Sequence, residues 1–148
     1  MNRYNADSVH RRVDYTRYIY RNTDIYPTAF ESLSYPIAAY GRDGIIAGAN
    51  KYFRDVAGIT ADEVQNGSVN FFDCLIENNA LLLEAAHNAF NGEEKLYEDI
   101  GPALHAEPGT AVYLQLADFP NAIFFPMAYD REGVRLAAVL LDSKEKET

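Results

Sequence analysis

The sequence predicts an α+β fold: a five-stranded antiparallel sheet with helices packed on one face, preceded by an N-terminal helical arm. Three observations predict it. Two apolar runs near the start flank Asp43-Gly44, a strong signal for a tight hairpin. Helical periodicity dominates the stretch that follows, up to Asn91. Three more apolar runs close the chain, separated by gaps of hairpin length. Hairpins at both ends require antiparallel pairing, and segregated strands and helices make the class α+β.

The arm comes first. In residues 8–21, Val9, Val13 and Tyr20, with Thr16 between them, recur at helical spacing, with Arg11, Arg12 and Arg21 elsewhere on the helix. Ser8 is a candidate N-cap. After Pro27, Thr28 and Glu31 have capping-box spacing and predict a second short helix. Tyr35–Tyr40 and Ile45–Ala49 are the first two strands, turning at Arg42-Asp43-Gly44. Lys51–Ala57 is a helix stopped by Gly58. Thr60 and Glu63 open another helical turn with a capping-box pair. Phe71, Phe72, Leu75 and Ile76 form a short apolar helix.

The longest helix of this region is Asn79–Asn91, closed by Gly92, with Leu82, Ala85, Ala86, Ala89 and Phe90 on one stripe. Residues 93–109 are acidic and irregular, with room for a short strand or helical turn. The last strands are Ala111–Ala117, Ala122–Tyr129 and Val134–Leu141. The last two do not alternate apolar with polar, so both of their faces need cover. The central helices cover one; the arm, a second chain or both must cover the other.

Composition narrows the function classes. The chain has 148 residues, 48% hydrophobic and 24% charged, the profile of a soluble globular domain. One cysteine, Cys74, rules out an internal disulfide or a multi-cysteine zinc site. No apolar run approaches the ~18 residues of a membrane span, and no apolar stretch follows Arg3, Arg11 and Arg12 as a signal peptide would need. The expected location is the cytoplasm, with no membrane contact. Net charge is −9: residues 1–30 hold five Arg and three Asp, a net +2, and the remainder holds eight basic and nineteen acidic residues, a net −11. An acidic body repels phosphate backbones, so nucleic acid is not an expected partner.

The order of motifs resembles a PAS domain. Tyr35-Pro36-Ile37, Asp43-Gly44, Ile46, Asn50, Phe53 and Gly58 look like the family's opening segment; Gly67 with Phe71-Phe72-Asp73 resembles the stretch before its long helix; Pro126-Met127, Asp130, Gly133 and Asp142 are similar to its ending. The match covers residues 30–142, leaving 1–29 as the arm and 143–148 as a polar tail or the start of a linker. The connection over 93–109 is longer than the family's usual one, and Asp142-Ser143-Lys144 replaces its common closing triplet. The resemblance implies a sensor and dimerisation module of a bacterial-type signalling protein, serving a histidine kinase or a transcription regulator. It also implies a small-molecule pocket between sheet and helices, a homodimer, and an output domain or partner protein outside this chain.

Within that frame the expected ligand-binding residues are Phe72, Leu82, Tyr113, Gln115 and Phe125, apolar walls with a few polar handles. The ligand itself is unknown. Flavin is not expected: the position that carries the adduct cysteine in light-oxygen-voltage members matches Asn70. Haem is disfavoured, because His87, the one histidine on a core helix, lies about 130° around the helix from the apolar stripe. Cys74 reads as a small buried hydrophobe. No histidine pair has metal-ligand spacing, and no nucleophile, phosphate-loop or dinucleotide motif is present, so neither a metal site nor catalysis is expected. The competing reading is a ligand-free PAS module with a filled core, serving only dimerisation or protein interaction.

Overall fold

A computed structural model of the chain describes residues 6–74, 80–97 and 121–142. The elements run α1 (Ala6–Arg21), α2 (Tyr26–Glu31), β1 (Ile37–Tyr40), β2 (Ile46–Ala49), α3 (Lys51–Ala57), α4 (Ala61–Gln65), a 3₁₀ turn at Phe71–Cys74, α5 (Ala80–Asn88), a second 3₁₀ turn at Ala89–Asn91, β3 (Lys95–Tyr97), β4 (Asn121–Asp130) and β5 (Gly133–Asp142). The five strands form one sheet in the order β2-β1-β5-β4-β3, with every pairing antiparallel. Its first and last hairpins are those expected, and β5 pairs with β1 to bring the two ends of the fold together.

The sheet resolves the missing alternation in its strands. Ala38, Tyr40, Ala122, Phe124, Ala137, Val139 and Leu141 face one side, where they meet Phe53, Phe71, Leu82, Ala86 and Ala89 from the helical stretch. Ile37, Ala39, Ile123, Phe125, Ala138 and Leu140 face the other, where Val9, Val13 and Ile19 of α1 meet them. Period-2 projection sends adjacent residues to opposite faces, so a run such as Ala122-Ile123-Phe124-Phe125 is apolar throughout because both faces are covered. The chain's own arm covers the outer face, and burial of that face does not by itself call for a second copy.

Local chemistry sets the boundaries. Asn50 has an extended backbone, accepts the Phe53 amide at 2.9 Å and caps α3, while Gly58 closes α3 in the left-handed region at φ 71°. Thr60 and Glu63 form the expected reciprocal capping box on α4. The box expected at Thr28 and Glu31 does not form. Pro27 lies in the first turn of α2 and favours an earlier start, so Thr28 is inside the helix and the Glu31 carboxylate binds Arg54 instead. Ser8 likewise sits inside α1, which begins at Ala6.

The strand expected over Ala111–Ala117 lies outside the described residues. The fifth strand of the described sheet is Lys95–Tyr97, at its edge. Three partly exposed residues in an acidic stretch carry too short a pattern to stand out in the sequence. Among the described residues no helix is long and apolar enough to cross a membrane.

Candidate functional site

The inner face converges on Tyr40. This residue ends β1, is fully buried, and donates its hydroxyl hydrogen to the Ala86 carbonyl oxygen at 2.8 Å. Ala86 lies in the last turn of α5, where carbonyls lack intrahelical partners. The tyrosine thus joins sheet to helix through a bond the helix end needs. Burial alone pushes the Tyr40 hydroxyl far above its ordinary pKa, so it stays a neutral donor. Around it stand Phe71 at 4.9 Å between ring centroids, Phe90 at 5.7 Å and Phe72 at 5.9 Å. Phe71 continues the contact to Phe124 at 6.3 Å, and Phe124 meets Tyr97 edge-on at 5.9 Å.

The rim of this aromatic cluster is set by the first hairpin. Gly44 has φ 87°, a left-handed conformation glycine adopts without penalty. A Cβ there would come within 2.5 Å of both Asn70 and the Phe72 ring. Asn70 donates to the Asp43 carbonyl at 3.0 Å and accepts the Phe72 amide at 2.9 Å, fixing the start of the 3₁₀ turn against the hairpin. Phe72 is half-buried, and the exposed His87 lies 4.2 Å from it between ring centroids.

Of the expected ligand-binding residues, Phe72 and Leu82 come together on this face. Phe125 does not. It belongs to the outer cluster, where the Arg17 guanidinium of α1 sits 5.3 Å from its ring centroid. Its neighbour Phe124 occupies the inner position instead. A continuous apolar run carries no phase, so the sequence cannot choose between two adjacent phenylalanines. Tyr113 and Gln115 lie outside the described residues. Tyr40 is the residue sequence reasoning passed over; a lone tyrosine ending an otherwise aliphatic strand is the signal that marks it.

A second group of polar contacts holds the arm. Thr16 and Tyr35 hydroxyls both donate to the Arg12 carbonyl, at 2.8 and 3.3 Å. The Arg12 guanidinium binds the Asp142 carboxylate and lies 5.3 Å from the Tyr35 ring centroid. Arg17 donates to the Pro126 carbonyl at 3.0 Å and pairs with Glu94 at 2.9 Å, and His10 reaches the other Glu94 oxygen at 2.7 Å. Asn50 supplies a buried joint. Its amide nitrogen donates to the Tyr35 carbonyl at 2.8 Å, and its oxygen also accepts the Ile37 amide at 3.2 Å.

No family model matches the sequence, and no curated protein does. Solved structures do. The PAS domain of an HTR-like protein from Haloarcula marismortui superposes with a TM-score of 0.53 at 14% identity, covering 83% of this chain and 97% of that one. The chain has the PAS fold. A domain of a sensory box sensor histidine kinase/response regulator from Geobacter sulfurreducens gives 0.52 at 14% identity, covering 84% and 96%. A sensory box sensor histidine kinase from Vibrio cholerae gives 0.50 at 13% identity, covering 85% and 94%. In this PAS fold the Tyr40 cluster lies between the sheet and the helices, and α1 lies across the opposite face of the sheet.

Proposed function

We propose that this PAS domain is the sensor module of a signalling protein, binding a small molecule between the inner sheet face and the helices and passing the change through a homodimer to an output region. The observation that carries the reading is the aromatic cluster around Tyr40, reaching solvent at Phe72 and His87. Small-molecule sites are built this way, from apolar walls with few polar groups. A ligand that prefers one arrangement of these rings shifts its population, and the sheet conveys the shift to the arm. In this reading neither a haem held by His87 nor a covalent flavin adduct is expected: His87 is exposed, and the resemblance puts Asn70 where the adduct would need a thiol. The role is recognition rather than catalysis. The dimer forms on α1, whose Tyr15 and Tyr18 are 50% and 59% exposed and stacked together.

One observation favours a second reading, an interaction module with a filled core. The Tyr40 hydroxyl already has its acceptor, and three rings already surround it. Native mass spectrometry of the freshly purified full chain separates the two and reads the oligomeric state together with any bound mass. An adduct that disappears on denaturation supports the sensor. Bare protein, with a melting temperature unmoved across a metabolite panel, supports the interaction module.

A further inference from the structure

A groove of about 380 Å³ runs between α1 and the segment that leads into β1, on the far side of the sheet from the Tyr40 cluster. Ser8, Arg11, Arg12 and Tyr15 line one wall, and Ser34 and Tyr35 belong to the other. The four helical residues are spaced i, i+3, i+4 and i+7, so α1 turns one continuous face into the groove. The Arg11 and Arg12 guanidinium groups and the exposed Tyr15 hydroxyl on one helix face are hydrogen-bond donors for an oxyanion.

The two arginines are placed differently. Arg12 is fixed, held between the Asp142 carboxylate and the Tyr35 ring. Arg11 is exposed and, among the described residues, has no ion-pair or hydrogen-bond partner. Charge makes the site stand out from its surroundings. The first thirty residues carry a net +2 on a chain of net −9, so the arm is the part of the chain that repels an anion least, and Arg11, among the described residues, is its unpaired cation at the groove.

We propose that this groove binds a small oxyanion, a carboxylate or phosphate group, with Arg11 as the free clamp and Arg12 shared between the ligand and Asp142. A guanidinium offers five donors in a planar fork and serves two acceptors at once. The ligand and Asp142 carry like charge and compete for the same group. Occupancy of the groove therefore weakens the tie between α1 and the end of β5. That is a coupling between a ligand site and the last strand, independent of whatever fills the inner face.

The test uses the full chain, titrated by calorimetry at constant ionic strength with inorganic phosphate and, separately, with succinate. Saturable binding of at least one is expected; phosphate alone identifies a phosphate-bearing ligand, and succinate alone a carboxylate. Arg11→Gln, at an exposed position that leaves the fold intact, weakens binding about tenfold. Arg11→Lys recovers only part of it, because the fork is lost. Asp142→Asn keeps an acceptor for Arg12, removes the competing charge and tightens binding. The proposal is overturned if neither anion saturates, if Arg11→Gln binds as the parent does, or if Asp142→Asn binds more weakly.

Discussion

Arg12 on the first helix binds Asp142, the last residue of β5, so the arm at the head of the chain is tied to the end of the sheet's central strand. The Asp142 side chain is only 8% exposed and that of Arg12 33%. Removing one partner of such a pair leaves the other desolvated and uncompensated, which costs more than the intact pair contributes. Arg12→Ala is expected to lower stability by about 2 kcal/mol. The double variant with Asp142→Ala should lose less than the two single losses added together. Urea denaturation of the four proteins measures this, and strictly additive losses refute the coupling.

Tyr40→Phe keeps the ring contacts and removes the bond to the Ala86 carbonyl. The expected loss is about 1 kcal/mol, the ordinary worth of such a bond. Tyr40→Ala also leaves a cavity beside Phe71, Phe72 and Phe90, at a cost of about 3–5 kcal/mol. A Phe variant as unstable as the Ala variant would show that the hydroxyl, not the ring, organises the inner face.

Acid weakens the tie between α2 and α3. Arg54 donates to both Glu31 oxygens, at 2.7 and 2.8 Å. Those hydrogen bonds hold the Glu31 carboxyl below its ordinary pKa of 4.5. A folded-state pKa that is depressed contributes stability above the unfolded value and loses it as pH falls through the folded one. Glu31 is 46% exposed, so the contribution is about 0.5 kcal/mol. On acidification below about 4.5, the urea midpoint of the parent should fall more than that of Glu31→Gln. Parallel pH profiles would remove Glu31 from the account.

The sequence makes the element order legible because its punctuation is strong: Asp43-Gly44, Gly58, the Thr60 and Glu63 box, and Gly92 all end or begin elements as expected. What it hides is phase and distance. Phe124 and Phe125 are chemically identical neighbours, and only the register of β4 against β5 decides which faces the Tyr40 cluster, where Phe124 meets Phe71. The buried role of Asn50 depends on Leu33 and Tyr35 carbonyls that the fold brings to it. The arm contacts are more distant still: Arg12 and Asp142 stand 130 residues apart, and no local pattern links them.

Removing the arm is the severest test of the architecture. Val9, Val13 and Ile19 are fully buried against an outer sheet face that includes Ile37, Ile123, Phe125 and Leu140. Burying each such side chain stabilises by roughly 1.5–3 kcal/mol, so the three together contribute on the order of 5 kcal/mol, comparable with the whole stability of a small domain. A chain that begins at Tyr26 also exposes the sheet residues that α1 covered, a contiguous apolar patch that monomers do not usually carry. The truncated chain is therefore expected to bind a hydrophobic dye and to aggregate, or to fail to refold from urea. Sedimentation of both forms adds the oligomeric reading. If α1 makes the dimer through Tyr15 and Tyr18, the full chain sediments as a dimer and Tyr18→Glu converts it to a folded monomer. Two well-behaved monomers at micromolar concentration, full and truncated alike, would mean that the arm neither seals the sheet nor joins two chains.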